Sequence, residues 1–329
     1  MQGVLTVDRL EVLVVVDNAT DSLSSNPKSV IPEWTGLLTG GRMRMVSGHG
    51  ICCAHHGLSL LITAHRGSES HTLLFDAGPE DATFLRNAAV LGIDFGGVDA
   101  VVLSHGHWDH AGGLVAAVRA VADARGAGTP CFVHPGMFAE RAMQWSSGQF
   151  LPFEPVPSPA QLTEAGANVV STREPQVAAG GAFYVSGEVP RVTAYETGLP
   201  GHMRRSEHGN GEANGWEPDP LIMDERFVSV HVKDKGQFIF SACSHAGLIN
   251  VLKHARELFP AVPLYGAMGG LHLSGATEKI IPDTIRDLQT FGLQLIAPGH
   301  CTGWRALTAL AGVFGDALVP SAVGKKYLI

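Results

Sequence analysis

No Cys-x-x-Cys pair occurs in this 329-residue sequence, and its five cysteines, Cys52, Cys53, Cys131, Cys243 and Cys301, form an odd set. A disulfide framework and a thiolate-only zinc site are therefore disfavoured, and reduced thiols are expected. Long apolar runs are missing too. None reaches the roughly 18 residues of a membrane span, and the opening MQGVLTVDRLEVLVVVDN lacks a basic start and a small-residue cleavage site. The expectation is a cytoplasmic protein without membrane contact. Positive charge is scarce: the formal charge is −8, and the only adjacent basic pairs are Arg204-Arg205 and Lys325-Lys326, expected as solvated surface. Nucleic acid is thereby excluded as the expected partner, since phosphate grooves need concentrated cations. What is present, 45% hydrophobic and 16% charged residues with 40 glycines, fits a folded globular enzyme.

The first third alternates extended apolar segments with turns: LEVLVVVDN (10–18), GLSLLITAH (57–65) and HTLLFDAG (71–78) read as strands. Helical spacing follows over 80–93, a buried strand over 98–104 and a helix over 112–126. Residues 135–220 break this rhythm with ten prolines and the polar, Gly-rich stretch 201–219, and are expected to be an insertion of long loops that covers a substrate. Regularity returns with a hairpin over 226–242 turning at KDKG. Helix (245–259), strand (262–268), helix (282–292), strand (294–299) and a last helix complete the chain. A single α/β domain over 1–329 is expected, with its two halves facing each other.

Chemistry concentrates in SHGHWDHAGGL (104–114), at a strand-to-helix turn, where layered α/β folds commonly keep their sites. His105, His107, Asp109 and His110 can be aimed at two neighbouring points, and imidazole with carboxylate suits zinc, iron or manganese. Each metal would remain short of ligands, so the second half must complete the sites. Cys243 and His245 end one predicted strand there, and His300 ends another.

H-x-H-x-D-H resembles the metal-binding signature of the metallo-β-lactamase superfamily. LLFDAG resembles the strand that precedes that signature, and the segments VVDN, HHGLSLLI, SGEVPR, MDE to SACSHAGLINV, GGLHL and APGHCTG extend the likeness to a branch named for an archaeal dihydropterin ribofuranosyl-aminobenzene phosphate synthase. The resemblance implies a four-layer αββα sandwich and two divalent metal ions, zinc first with iron or manganese as alternatives. It gives Asp76 a bracing role behind the histidine turn and assigns His300 to the second metal. Cys243 stands where most hydrolytic members carry a bridging aspartate, and His245 could ligate instead. The third first-site histidine is absent from DPLIMDERF, so Asp224 is the expected oxygen substitute. His134 is a further candidate, and His231 is expected in the core or on a sheet face. The resemblance also makes His272 a candidate for holding substrate phosphate, and Glu188 with Arg191 would face the same cleft if the insertion closes over it.

These readings imply a binuclear metal-dependent hydrolase, or a synthase using the same activated water, acting on a small anionic metabolite that is pterin- or phosphate-bearing. Asp109 would orient the water, and a metal-bound water or His272 would protonate the leaving group. A di-iron oxidoreductase and a non-catalytic metal-bound sensor are the alternatives. A small molecule is the expected partner, and insertions of this kind often pack between subunits, so a homo-oligomer is also an expectation.

Overall fold

A computed structural model describes residues 3–206 and 215–329, so 207–214 of the Gly-rich stretch lie outside the described residues. Along Ser59–Arg66 the side chains alternate: Leu60 and Ile62 enter one apolar cluster and Leu61 packs on another. Glu69–Phe75 does the same with Leu73 and Phe75 against Leu74, the two-residue period of a strand buried on both faces. These strands lie at the centre of an eight-stranded sheet. Its order runs Ala167–Ser171, Thr129–Val133, Val98–Val102, Glu69–Phe75, Ser59–Arg66, Arg9–Val16, Lys326–Leu328, Val30–Ile31.

A second sheet is built from Gln176–Ala178, Phe183–Val185, Phe227–Val232, Gly236–Ser241, Leu264–Gly270 and Leu295–Gly299, with Thr6–Val7 pairing to Phe227–Val232. The sheets meet face to face, Leu60, Ile62 and Phe75 of the first burying against Val228, Phe238 and Phe240 of the second. Helices Asp81–Leu91 and Leu114–Arg125 cover the outer face of the first through Phe84, Leu114 and Val118. Leu252, Leu288 and Leu310, from helices Leu248–Leu258, Ile281–Gln289 and Trp304–Phe314, cover the second. The layers are αββα, as expected, and no described helix is long and apolar enough to cross a membrane.

Two expectations change. Residues 135–220 are not a block of loops: Ala167–Ser171 extends the first sheet and Gln176–Ala178 with Phe183–Val185 extends the second. A separate four-stranded sheet, Trp216–Pro218, His202–Arg205, Arg141–Gln144 and Phe150–Pro152, accounts for much of the rest. Lys325 is not solvated surface. Its ammonium is buried, 2.9 Å from an Asp21 carboxylate oxygen and 3.0 Å from the Pro320 carbonyl, where the chain turns into Lys326–Leu328 to pair beside Arg9–Val16.

Candidate metal centre

The carboxyl ends of Glu69–Phe75, Val98–Val102, Gly236–Ser241, Leu264–Gly270 and Leu295–Gly299 deliver Asp76, His105, Cys243, His272 and His300 to one region. Outside glycine, left-handed backbone occurs at seven described positions, and four of them, Asp76, Ser244, His272 and His300, lie in these turns. Strain of order 1–3 kcal/mol per such residue persists where surrounding structure enforces it, typically at sites of function.

Hydrogen bonds fix which ring nitrogens are bare. His202 Nδ1 lies 2.7 Å from the Asp219 carbonyl, which only accepts, so Nδ1 carries the proton. The His202 Nε2 is then an acceptor, and the His107 Nε2, 3.0 Å away, donates to it. That leaves His107 Nδ1 bare. On the other side, the Ser104 hydroxyl donates to Asp76 Oδ2 at 2.7 Å and so accepts from His105 Nδ1 at 2.8 Å, leaving His105 Nε2 bare. These two lone pairs face each other at 3.1 Å. Burial keeps both imidazoles neutral by pushing their pKa values well below the ordinary range, and pushes His202 down to about 4. Two facing lone pairs repel unless a cation lies between them, so the donor set fits a metal.

The same logic extends outward. His110 Nδ1 donates to Asp76 Oδ2 at 2.7 Å and turns Nε2 toward Cys243 Sγ, 3.2 Å away. Although burial lowers the His110 pKa, Asp109 and Asp76 outweigh it and raise it to about 9, so a metal there must displace a proton. His300 Nδ1 donates to Asn18 Oδ1 at 3.0 Å, leaving Nε2 buried without a hydrogen-bond partner, 3.2 Å from Asp109 Oδ2. Both His245 ring nitrogens are likewise buried and unpartnered. Ligand atoms of His105, His107 and His245 lie within 4.8 Å of one another, as do those of His105, His110 and Cys243, and those of His56, Asp109 and His300. Asp109 is held ionised: burial would raise its pKa, but His110 and His300 pull it well below the carboxylate range.

Backbone packing supports the turn. Gly106, between the first two histidines, passes so close to Met137 that a Cβ would meet its carbonyl oxygen at 2.2 Å. Asp76 also accepts from the Ser104 amide at 2.7 Å, and Glu225 accepts from the His245 and Ala246 amides at 2.8 and 2.6 Å. A cavity of about 330 Å3 opens over the cluster, walled by Trp108, Phe153, Leu199 and His272.

Several expected residues lie elsewhere. Asp224 is not placed as a ligand, because Oδ1 is bound to Arg141 at 2.6 Å and Oδ2 accepts from the Gly106 amide at 2.9 Å, behind the turn. Glu188 pairs with His134 and Arg173, both at 3.1 Å, in a separate cavity, which also removes His134 from the ligand candidates. Arg191 spends its guanidinium on the carbonyls of Val189, Leu221 and Ile222. Neither Glu188 nor Arg191 reaches the cleft. His231 is on the sheet face expected for it, 3.0 Å from the Thr6 hydroxyl. Four residues of the centre went unread: Asn18, His56, His202 and Cys301. His56 and Cys301 carry a signal, in HHGLSLL and beside His300. His202 carries none, since its strand belongs to the small separate sheet.

Residues 54–204 match the Metallo-beta-lactamase superfamily. That match spans less than half of the chain and includes His105, His107, Asp109 and His110. A likeness of fold extends over the second half, where Cys243, His245 and His300 lie: the crystal structure of Tm1679, described as a metal-dependent hydrolase of the beta-lactamase superfamily, superposes with a TM-score of 0.67 over 96% of this chain and 98% of that one at 21% identity. The metallo-beta-lactamase fold protein YhfI from Bacillus subtilis superposes at 0.51 over 98% and 100%, with 12% identity. In sequence, the chain is 27% identical over 267 residues, 77% of its length and 83% of the relative's, to the 7,8-dihydropterin-6-methyl-4-(beta-D-ribofuranosyl)-aminobenzene-5'-phosphate synthase of Methanocaldococcus jannaschii.

Because His202 sets the proton on His107, removing it should loosen the metal without touching a ligand. His202→Ala is expected to weaken zinc affinity about 10- to 100-fold, the usual effect of losing such a support. Competition with a chromogenic chelator measures this, and an unchanged affinity would show the contact to be incidental.

Proposed function

We propose that this protein is a binuclear metal-dependent hydrolase, or a synthase using the same activated water, acting on a small anionic metabolite of the pterin- or phosphate-bearing kind. The observation that carries the reading is the pair of bare nitrogens, His105 Nε2 and His107 Nδ1, held 3.1 Å apart by hydrogen bonds on their far sides. His105, His107 and His245 would hold one ion, and Asp109, His110 and His300 the other, with Cys243, grouped with His105 and His110, as a further donor. Bound there, two divalent cations, zinc first with iron or manganese as alternatives, supply Lewis acidity and lower the pKa of water toward neutrality.

The chain's own groups then divide the work. Asp109, ionised and facing the cavity, accepts a hydrogen bond from the attacking water and orients it. His272 lines the same cavity, its ring centroid 4.4 Å from that of His245, where it meets an anionic substituent or passes a proton to a leaving oxygen. Trp108 and Phe153 offer flat apolar walls to a ring, and the cavity has room for one of pterin size. The name of the archaeal relative supports the substrate class.

The test is reconstitution with zinc, iron(II) or manganese, followed by metal analysis and a turnover screen on bis-p-nitrophenyl phosphate, pterins and cyclic phosphates. Two ions per chain and hydrolysis of at least one ester or phosphodiester are expected. Folded protein that takes up no divalent cation would overturn the reading. Metal uptake without turnover favours a sensor, and a coloured, redox-active iron form favours an oxidoreductase.

A further inference from the structure

Two sulfur atoms lie at the floor of the cavity, and the reading above uses one. Cys301 follows His300 in the short turn His300–Thr302, and its Sγ is 3.3 Å from Cys243 Sγ. Both cysteines are free thiols, and both line the cavity that the histidines line. Cys243 Sγ, Cys301 Sγ and a His300 ring nitrogen lie within 4.8 Å of one another. The backbone makes room for the second sulfur: at Gly270 a Cβ would approach Cys301 Sγ to 2.5 Å. The turn is also locked, since the Thr302 hydroxyl donates to the Gly299 carbonyl at 2.7 Å and accepts from the Leu271 amide at 3.1 Å.

A pair of thiols that serves only packing is expected among apolar neighbours, as Cys131 is in the cluster under the first sheet. Cys243 and Cys301 instead face His110, His300 and Asp109, and the His300 Nε2 beside them has no hydrogen-bond partner. Sulfur donors discriminate among cations: thiolate favours zinc, iron(II) or copper, whereas carboxylate and water favour manganese or magnesium.

We propose that Cys301 joins Cys243 and His300 as a ligand, so that this half of the centre is a two-sulfur clamp selective for a thiophilic divalent cation. The proposal rests on the reading that the centre binds metal, and it narrows which metal. Binding replaces the thiol protons, which pass to solvent, by two sulfur–metal bonds, with no change of oxidation state.

Cobalt(II) is the probe, because a thiolate on cobalt gives a near-ultraviolet charge-transfer band that nitrogen and oxygen ligands lack. Cobalt-loaded Cys301→Ser should show that band weakened by about a third to a half per bound cobalt, and Cys243→Ser/Cys301→Ser should lack it. A full-strength band in Cys301→Ser at wild-type cobalt content overturns the proposal alone. Wild-type protein that takes up no cobalt overturns the preceding reading and this one with it. If the serine variants do not fold, alkylation of the wild-type chain decides. Iodoacetamide should modify Cys301 in the metal-free protein and be slowed at least tenfold by cadmium, while the exposed Cys53 reacts equally in both. Equal rates at Cys301 with and without cadmium overturn the proposal.

Discussion

Replacing His107 by alanine is expected to remove metal retention and activity together while leaving the fold in place. His107 is the middle link of a chain that runs from the Asp219 carbonyl through His202 to His107 and on to the bare nitrogen of His105. Loss of a residue that merely supports a ligand lowers affinity or activity about 10- to 100-fold, so loss of the ligand itself should lower turnover by more than about 100-fold. The short helix Trp108–Ala111 survives, because the bonds that start it, from the His110 and Ala111 amides at 3.2 and 3.1 Å, end on the His107 backbone carbonyl. Two measurements check this independently of substrate. Metal analysis should show the variant falling below two ions per chain, and the rise in melting temperature that zinc gives the wild-type protein by binding the native state should largely disappear. A variant with normal metal content and a normal zinc-induced shift would count against the whole centre.

The first half of this site was legible in the sequence because its geometry is local. Four donors within six residues at a strand end can reach only one region, and the hydrogen bonds that brace them come from Asp76 at the end of the neighbouring strand. The second half depends on how two sheets stack, which no spacing records. Cys243 and His300 were still found, since each ends a strand of strong apolar pattern. Asp224 was misread for a physical reason: its carboxylate is near the expected place but is occupied by Arg141, 83 positions earlier, on a strand the sequence did not reveal. That strand was hidden by prolines. Pro152 and Pro218 both lie in the outer strands of the small sheet, where a missing amide proton is tolerated, so proline counting mistook an edge for a loop. His202 was lost with the same sheet.

Arg141→Ala is expected to cost about 3–5 kcal/mol of stability at neutral pH, the usual penalty for stranding one member of a buried ion pair. Both side chains are almost wholly inaccessible, 3% and 4% exposed, so no water replaces the guanidinium. Burial alone would raise the Asp224 pKa, but Arg141 outweighs it and holds the carboxyl below its ordinary value. The sign of the pH dependence follows. In the wild-type chain the depressed pKa means that this contribution is full above the ordinary carboxylate range and is lost as pH falls through the folded value. In the variant the carboxylate has lost its partner, burial wins, and protonation relieves the penalty. The stability gap between the two proteins, read from urea unfolding, should therefore be widest near pH 7 and narrow toward pH 4. Arg141→Met/Asp224→Asn should recover part of the loss, since it removes both charges at once. A deficit below about 1 kcal/mol that does not change with pH would show the pair to be behaving as an exposed one. The Gly106 amide would then need another brace, because Asp224 Oδ2 is what holds the bend between His105 and His107.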